Sequence, residues 1–471
     1  MASNTNIPTA AHKLELRTAE RLTKPFQRFA LLSSSSGIVL VSCTIVAMLW
    51  SNSPYADGYH HLFHDIELAV GIGALEIHNH LLHWINDALM AVFFLLVGLE
   101  IKRELVVGEL SDPRRAALPI FAAVGGMLVP AAIYAAINFN NPQTMHGWGV
   151  PMATDIAFAL GILALIGTRA PNSLKVFLAG LAIADDLGAL LVIAIFYTED
   201  LNWGALGSAG GVLALLFAFN IIGFRRGLWY ILPGIVLWYF VFRSGVHATI
   251  AGVLLASTIP VTSRVDQRRY LTFSRAALDT FEKNSSDRLD KVETNAAQRA
   301  AVYASSENNR LITPPLNRME DTLHPWVAFL VIPIFALANA GVHIQGGIAE
   351  SLSGPISLGV ILGLFIGKPV GITLFAWISV KLGIASLPSG VTWKHIIGVG
   401  CLGGIGFTMA LFISNLAFGG PQLASELEHA KVGILTASAL STILGLSILL
   451  TCKPQEEPEP ESLGPEIDLR D

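Results

Sequence analysis

Charge is what this sequence has least of. Only 14% of its 471 residues are Asp, Glu, Lys or Arg, against about 25% in an ordinary soluble domain. So few charges cannot cover a water-exposed surface, which excludes a soluble globular protein. Cysteine is equally sparse: Cys43 and Cys401 stand in apolar runs and Cys452 in the tail. Three isolated cysteines exclude a disulfide framework and a thiolate zinc site. The N-terminus also lacks a short apolar stretch followed by a small-residue cleavage site, so no removable signal peptide is expected.

What is present is hydrocarbon. Residues of the hydrophobic class make up 53% of the chain, and its mean hydropathy is +0.58. Apolar runs near the ~20 residues that cross a hydrocarbon core recur at 31–50, 81–99, 116–137, 148–166, 174–197, 205–222, 228–242, 246–259, 323–342, 356–380, 396–418 and 432–450. These predict an all-α integral membrane protein of about twelve transmembrane helices. The runs at 228–242 and 246–259 are short and are expected to be tilted or partly buried.

Lys and Arg set the orientation. They occupy the N-terminal segment (Lys13, Arg17, Arg21, Lys24, Arg28) and alternate connections, including Lys102, Arg103, Arg114, Arg115, Arg225 and Arg226. The connections at 138–147, 198–203, 343–354 and 419–428 contain neither, and Arg243 is the one exception. Both termini are therefore expected on the cytoplasmic side. The domains read as a cytoplasmic segment at 1–30, a transmembrane unit at 31–452 and a disordered Pro/Glu-rich tail at 453–471. Within the unit, 261–317 reads as a mobile polar loop, with Tyr270, Phe273, Leu278 and Phe281 spaced for one amphipathic helix. On the opposite side, 66–77 alternates around Gly71 and Gly73 like a short extracellular β-hairpin.

Against this background four charges are out of place: Asp155, Asp185, Asp186 and Lys368 lie well inside apolar runs. Each costs at least ~2.5 kcal/mol at the bilayer centre, so together they must face one another, water or a bound ion. Adjacent Asp185 and Asp186 point about 100° apart on a helix. One can line an ion cavity while the other turns to a cation such as Lys368. Two neighbouring carboxylates repel when both are ionised, which suits competition between H⁺ and a hard cation for the same oxygens.

Thr154 and Asp155 add hard oxygens just after Gly149 and Pro151, which disturb regular helix. The stretch 398–408, with Gly398, Gly400, Gly403, Gly404 and Gly406, is too glycine-rich for an unbroken helix. Its Ile405-Gly406-Phe407 echoes Ile156-Ala157-Phe158. Interrupted spans in corresponding positions of two halves point to a transport site. The broken ends expose dipoles that Asp155 and Lys368 can offset.

At these residues the sequence resembles the NhaA family of Na⁺/H⁺ antiporters. The resemblance is carried by WINDALMAVFFLLVGLE at 84–100, ATDIAFALG at 153–161, ADDLG at 184–188 and Lys175 with Phe177. SGVHAT at 244–249, HPW at 324–326, GKP at 367–369 and GIGFTM at 404–409 complete it. It implies twelve helices built from inverted repeats, with two interrupted helices crossing at the midplane. It implies that Asp186 binds Na⁺ with Asp185 beside it and Thr154 nearby, while Asp155 and Lys368 balance the helix dipoles, Lys368 also being able to pair with Asp185. Exchange of Na⁺ or Li⁺ for H⁺ would be electrogenic and pH-regulated, serving pH and sodium homeostasis across the bacterial inner membrane. The hairpin would support a homodimer; no cofactor and no nucleic acid is expected.

Glu100, Glu104, Glu320 and His324 match the family's pH-responsive cytoplasmic mouth. Asp321 stands where the relatives carry His, Asn317 where they carry Lys, and the preceding loop is longer, so the activating pH is not carried over. An intramembrane aspartyl protease is disfavoured because no Gly-x-Gly-Asp stands in a span and Lys368 has no role in one. A symporter of organic anions would not need two aspartates and a lysine. The histidines at 60, 61, 64, 78, 80 and 83 read as an exposed polar loop rather than a metal site, and His247 as a hydrogen-bonded structural contact.

Overall fold

The structure is a computed structural model, described here for residues 35–454 except 73–74, 199–200, 264, 285–294 and 343–347. The expected cytoplasmic segment at 1–30 and nearly all of the tail at 453–471 lie outside the described residues.

The chain is mostly helical. Helix α1 (Ser35–Ser51) leads through a short helical stretch to strands β1 (Glu67–Ile72) and β2 (Leu75–His80). The strands pair antiparallel, Glu67 opposite His80 and Ile72 opposite Leu75. Two long helices follow, α2 (Leu81–Val106) and α3 (Pro113–Asn138). Next come α4 (Pro142–Met152) and α5 (Ile156–Leu165), bent by 41° across a short break. The chain continues through α6 (Asn172–Phe196), α7 (Trp203–Ile222), α8 (Leu228–Arg243) and α9 (Ile250–Thr258).

Beyond these lie α10 (Gln267–Lys283), α11 (Ala296–Ile312), α12 (Pro315–Asn339) and α13 (Pro355–Lys381). A second pair, α14 (Trp393–Gly403) and α15 (Phe407–Phe418), bends by 43°, and α16 (Ala424–Leu450) ends the bundle. Among the described residues seven helices are long and apolar enough to cross a membrane, or nine if each bent pair is one span. The two runs read as short are short here: α8 has 16 residues and α9 has 9.

Local chemistry accounts for several boundaries. The Asp112 carboxylate accepts from the Arg114 amide at 3.0 Å, with Pro113 following, so α3 starts there. Asn202 accepts from the Gly204 and Ala205 amides and starts α7, which ends at Gly223 with φ +96°. Turns of π-helix interrupt α2 at Ile85–Leu89, α12 at Val327–Val331 and α13 at Gly363–Gly367, the last ending just before Lys368.

Helices α3 and α13 pack almost backbone to backbone. A Cβ on Gly371 would lie 2.1 Å from the Gly125 carbonyl oxygen, so glycine is obligatory at that contact.

The segment read as a mobile loop at 261–317 contains two helices instead. Asp266 caps α10 through the Arg269 amide, and Asn295 with Gln298 forms a capping box on α11. The Asn308 amide donates to Ser274 Oγ at 2.8 Å and to the Tyr270 carbonyl, while the Tyr270 hydroxyl bonds Asn309. These contacts join the helices side by side. The packing face of α10 includes buried Ala277, whereas Phe273 and Leu278 are exposed. The expected stripe thus held only in part, because a second helix, not the core, set the buried face.

Candidate functional site

The site forms where the two bends touch. The Asp155 amide donates to the Ile405 carbonyl at 2.7 Å, tying the α4–α5 break to the α14–α15 break. Both breaks follow from sequence. Pro151 and Gly149 prevent a regular helix before Asp155, and Gly404 and Gly406 allow an approach closed to larger residues. A Cβ on Gly404 would sit 2.4 Å from the Leu364 carbonyl oxygen.

Asp155, 2% exposed, is the electrostatic cap of both half-helices. Its Oδ1 accepts from the Phe158 amide at 2.9 Å, at the start of α5. Its Oδ2 accepts from the Thr408 amide at 3.1 Å and from Thr408 Oγ1 at 2.6 Å, at the start of α15. A single carboxylate thus meets two positive helix ends.

Lys368 is fully buried and donates to Asp185 Oδ2 at 2.5 Å and to Thr154 Oγ1 at 2.6 Å. The Thr154 hydroxyl donates in turn to the Gly403 carbonyl at 2.9 Å, at the C-terminal end of α14. Lys368 therefore reaches that negative helix end through one hydroxyl. Thr154, expected near a cation, is occupied by these bonds, although a hydroxyl oxygen has a second lone pair.

Asp185 and Asp186 lie on the buried face of α6, each 1% exposed. Asp185 is held by Lys368. Its Oδ1 and the Oδ1 of Asp186 are buried with no hydrogen-bond partner. Such oxygens are costly to hold in apolar surroundings unless they receive a proton or a cation. The structure thus brings Thr154, Asp155, Asp185 and Lys368 into one connected cluster with Asp186 adjoining.

The acidic residues expected at the cytoplasmic mouth gather elsewhere. Arg103 on α2 pairs with Glu320 on α12 and contacts Glu104 at 3.3 Å. Glu104 also accepts from the Glu109 amide. Glu100 is half-buried and His324 exposed, so His324 does not join the ion-paired group. The His247 ring bonds Thr249 Oγ1 at 2.8 Å and its Nε2 lies 3.7 Å from Asp87, a structural contact as expected. His60 and His64 stack at 4.5 Å, and among the described residues no three His, Cys, Asp or Glu side chains gather as a metal site.

Thr408 and the Gly403 carbonyl were missed by sequence reasoning. The echo of residues 156–158 in 405–407 was the available signal. In that register Thr408 aligns with Ala159 and Asp155 with Gly404, so the echo marks the second break without naming Thr408 as the partner of Asp155.

Broken apolar helices around a buried carboxylate pair and a lysine define an ion-coupled membrane transporter. Comparison with known proteins then places the chain. The "Na+/H+ antiporter 1" family model matches residues 27–449. The chain is 47% identical over 440 residues to a protein named Na(+)/H(+) antiporter NhaA from Oleidesulfovibrio alaskensis, covering 93% of this chain and 96% of that one. It is 45% identical over 430 residues to the protein of that name from Koribacter versatilis, covering 91% and 92%. The Citrobacter koseri protein of that name matches at 46% over 428 residues, covering 91% and 98%. The chain belongs to this antiporter family, and it is a sodium/proton antiporter of the membrane rather than an enzyme.

Proposed function

We propose that Asp186 is the carboxylate that holds Na⁺ and H⁺ in alternation, with Asp185 as its partner. The observation that carries this reading is the unpartnered buried Asp186 Oδ1 beside a neighbour already held by Lys368. Protonation or a hard cation supplies the missing contact, and the two are mutually exclusive at one oxygen. Lys368 keeps the Asp185 charge compensated through the cycle, and Asp155 does the same for the two helix starts. The remaining lone pair of Thr154 is within the same cluster and adds a neutral oxygen for the ion.

The wider reading is a twelve-helix protein: seven long helices, two broken spans and the three shorter helices α1, α8 and α9, with the broken pair crossing near the midplane and inverted repeats related across it. The Lys/Arg pattern supports cytoplasmic termini in the inner membrane and puts the β1–β2 pair outside, where it would support a homodimer. Exchange is electrogenic, more H⁺ than Na⁺ per cycle, and accepts Li⁺. Glu100, Glu104, Glu320 and His324 tune the response to cytoplasmic pH.

Everted vesicles with an imposed pH gradient test it. Na⁺ or Li⁺ should dissipate the gradient for the unsubstituted chain, and Asp186→Asn should abolish that effect while the protein still inserts and folds. Full dissipation by Asp186→Asn removes Asp186 from this role.

A further inference from the structure

Away from the carboxylates, three asparagines from three membrane-spanning helices are bonded to one another. Asn339, at the end of α12 and fully buried, donates through Nδ2 to Asn86 Oδ1 on α2 at 2.9 Å. Its Oδ1 accepts from Asn415 Nδ2 on α15 at 2.9 Å and from Asn86 Nδ2 at 3.4 Å. Asn339 and Asn415 each also donate to the carbonyl one turn back on their own helix, at Phe335 and Leu411. One turn nearer the α14–α15 break the same three helices meet again. Phe412 of α15, fully buried, lies between Phe94 of α2 at 5.4 Å and Phe335 of α12 at 6.4 Å.

This double contact sits at a defined end of the molecule. Asn86 is near the start of α2 and Arg103 near its finish; Glu320 is near the start of α12 and Asn339 at its finish. The two helices are therefore joined at both ends, by Arg103–Glu320 at one and by the amides at the other. Helix α15 is likewise held at both ends, by Thr408 on Asp155 and by Asn415 on Asn339.

Asp186 is 1% exposed, yet an exchanger must open it to each side in turn. Apolar helix contacts in a membrane can slide with little directional preference. An amide network is either made or broken, and interhelical hydrogen bonds there have real, modest energies. The break at Gly404–Gly406 supplies the hinge about which α15 can swing.

We propose that Asn86, Asn339 and Asn415, with Phe412 seated between Phe94 and Phe335, form the gate at the end of the protein opposite Arg103–Glu320. The amides must part, and Phe412 must leave its seat, before Asp186 faces that side. This rests on Asp186 being the exchange site. The gate is a positioning device: the side-chain hydrogen bonds of its asparagines run to one another and to their own helices, not to Asp185 or Asp186.

Cross-linking tests it. Cys43, Cys401 and Cys452 are first replaced, and Asn339→Cys is combined with Asn415→Cys. Oxidation, or bridging by a short thiol-reactive reagent, should arrest Na⁺-driven dissipation of a pH gradient, and dithiothreitol should restore it. A linked protein that exchanges at the unlinked rate overturns the gate. Independently, Asn415→Leu removes the amide while keeping the same branched heavy-atom outline. It should lower the half-saturating Na⁺ on the gated side relative to that on the other, the ratio of the two changing by roughly threefold, the shift one such hydrogen bond supports. Unchanged half-saturation on both sides overturns it as well. If the unlinked protein itself fails to exchange Na⁺ for H⁺ while the unsubstituted chain succeeds, the asparagines are needed for more than gating and the proposal falls. Failure of the unsubstituted chain would instead remove the exchange on which it rests.

Discussion

The Lys368–Asp185 pair gives the sharpest energetic prediction, because both side chains are fully buried and 2.5 Å apart. Lys368→Met leaves a carboxylate in the membrane interior with its only cation gone. Breaking a buried pair this way costs about 3–5 kcal/mol. Asp185→Asn leaves the ammonium with only neutral oxygens, Thr154 Oγ1 and the amide, and no charge to offset it, a cost of similar order. The double substitution removes both charges, and neutral replacement of a whole buried pair is often free of penalty. The two single costs should therefore fail to add, with the double variant at least ~2 kcal/mol more stable than their sum, well beyond the ~0.5 kcal/mol scatter of independent sites. Unfolding of the four proteins in mixed micelles, titrated with a denaturing detergent, measures the cycle. Additivity within that scatter would refute a charge pair held in low dielectric and would mean that water reaches one of the partners.

Four further outcomes follow from the geometry. Thr408→Val removes the hydroxyl bonded to Asp155 and should cost roughly 1.5–3 kcal/mol, the worth of a hydrogen bond to a charge, and slow transport, read in the same unfolding and vesicle assays. Gly404→Ala drives a methyl into the Leu364 carbonyl and should sharply lower the yield of folded protein on size-exclusion chromatography. Glu320→Gln breaks the pairing with Arg103 and should displace the pH profile of exchange while leaving the maximal rate within about twofold; an unmoved profile would separate this pair from pH sensing. Burial, with stacked His60 and then Lys431 adding to it, pushes the His64 imidazole down to about 4. An imidazole lowered in the folded state favours folding above its unfolded value of ~6.5 and loses that advantage as pH falls toward 4. His64→Gln should accordingly flatten the stability profile between those limits, measured by thermal unfolding.

The class of fold was legible because membrane insertion leaves a coarse signature: apolar runs of fixed length and a scarcity of charge. The breaks were legible too, through Pro151 and the close spacing of Gly403, Gly404 and Gly406, although Pro119, Pro130, Gly125 and Gly126 sit inside the unbroken α3. Lys368 was marked by its cost alone. Pairing was harder to read. Nothing local shows that Thr154 would be taken by Lys368 and Gly403, because those partners lie more than 200 residues away in sequence. The asparagines escaped for another reason: an amide in an apolar run raises much less alarm than a charge, so Asn86, Asn339 and Asn415 passed as ordinary polar residues. The 261–317 segment was misread because its helices bury little apolar surface. Their contact is made through Tyr270, Ser274, Asn308 and small residues, which composition does not distinguish from a loop.

What the geometry adds to the four buried charges is a division of labour. Asp155 already accepts three hydrogen bonds from two helix starts; a proton or an ion there would have to displace them. Asp185 is bound to an ammonium that is itself shared with Thr154. Asp186 has neither a helix end nor a cation to satisfy its buried Oδ1. Three of the charges thus bond to the broken helices or to one another, which is the ground for proposing the fourth, Asp186, as the exchange residue. Competition between H⁺ and Na⁺ needs such an arrangement: a carboxylate already satisfied by the protein would bind neither ion well, and a set of four free carboxylates and cations would not remain folded in a membrane. On the proposed reading the compensated charges hold the broken helices in place while the unpartnered Asp186 Oδ1 turns over, the equally unpartnered Asp185 Oδ1 belonging to a carboxylate already held by Lys368.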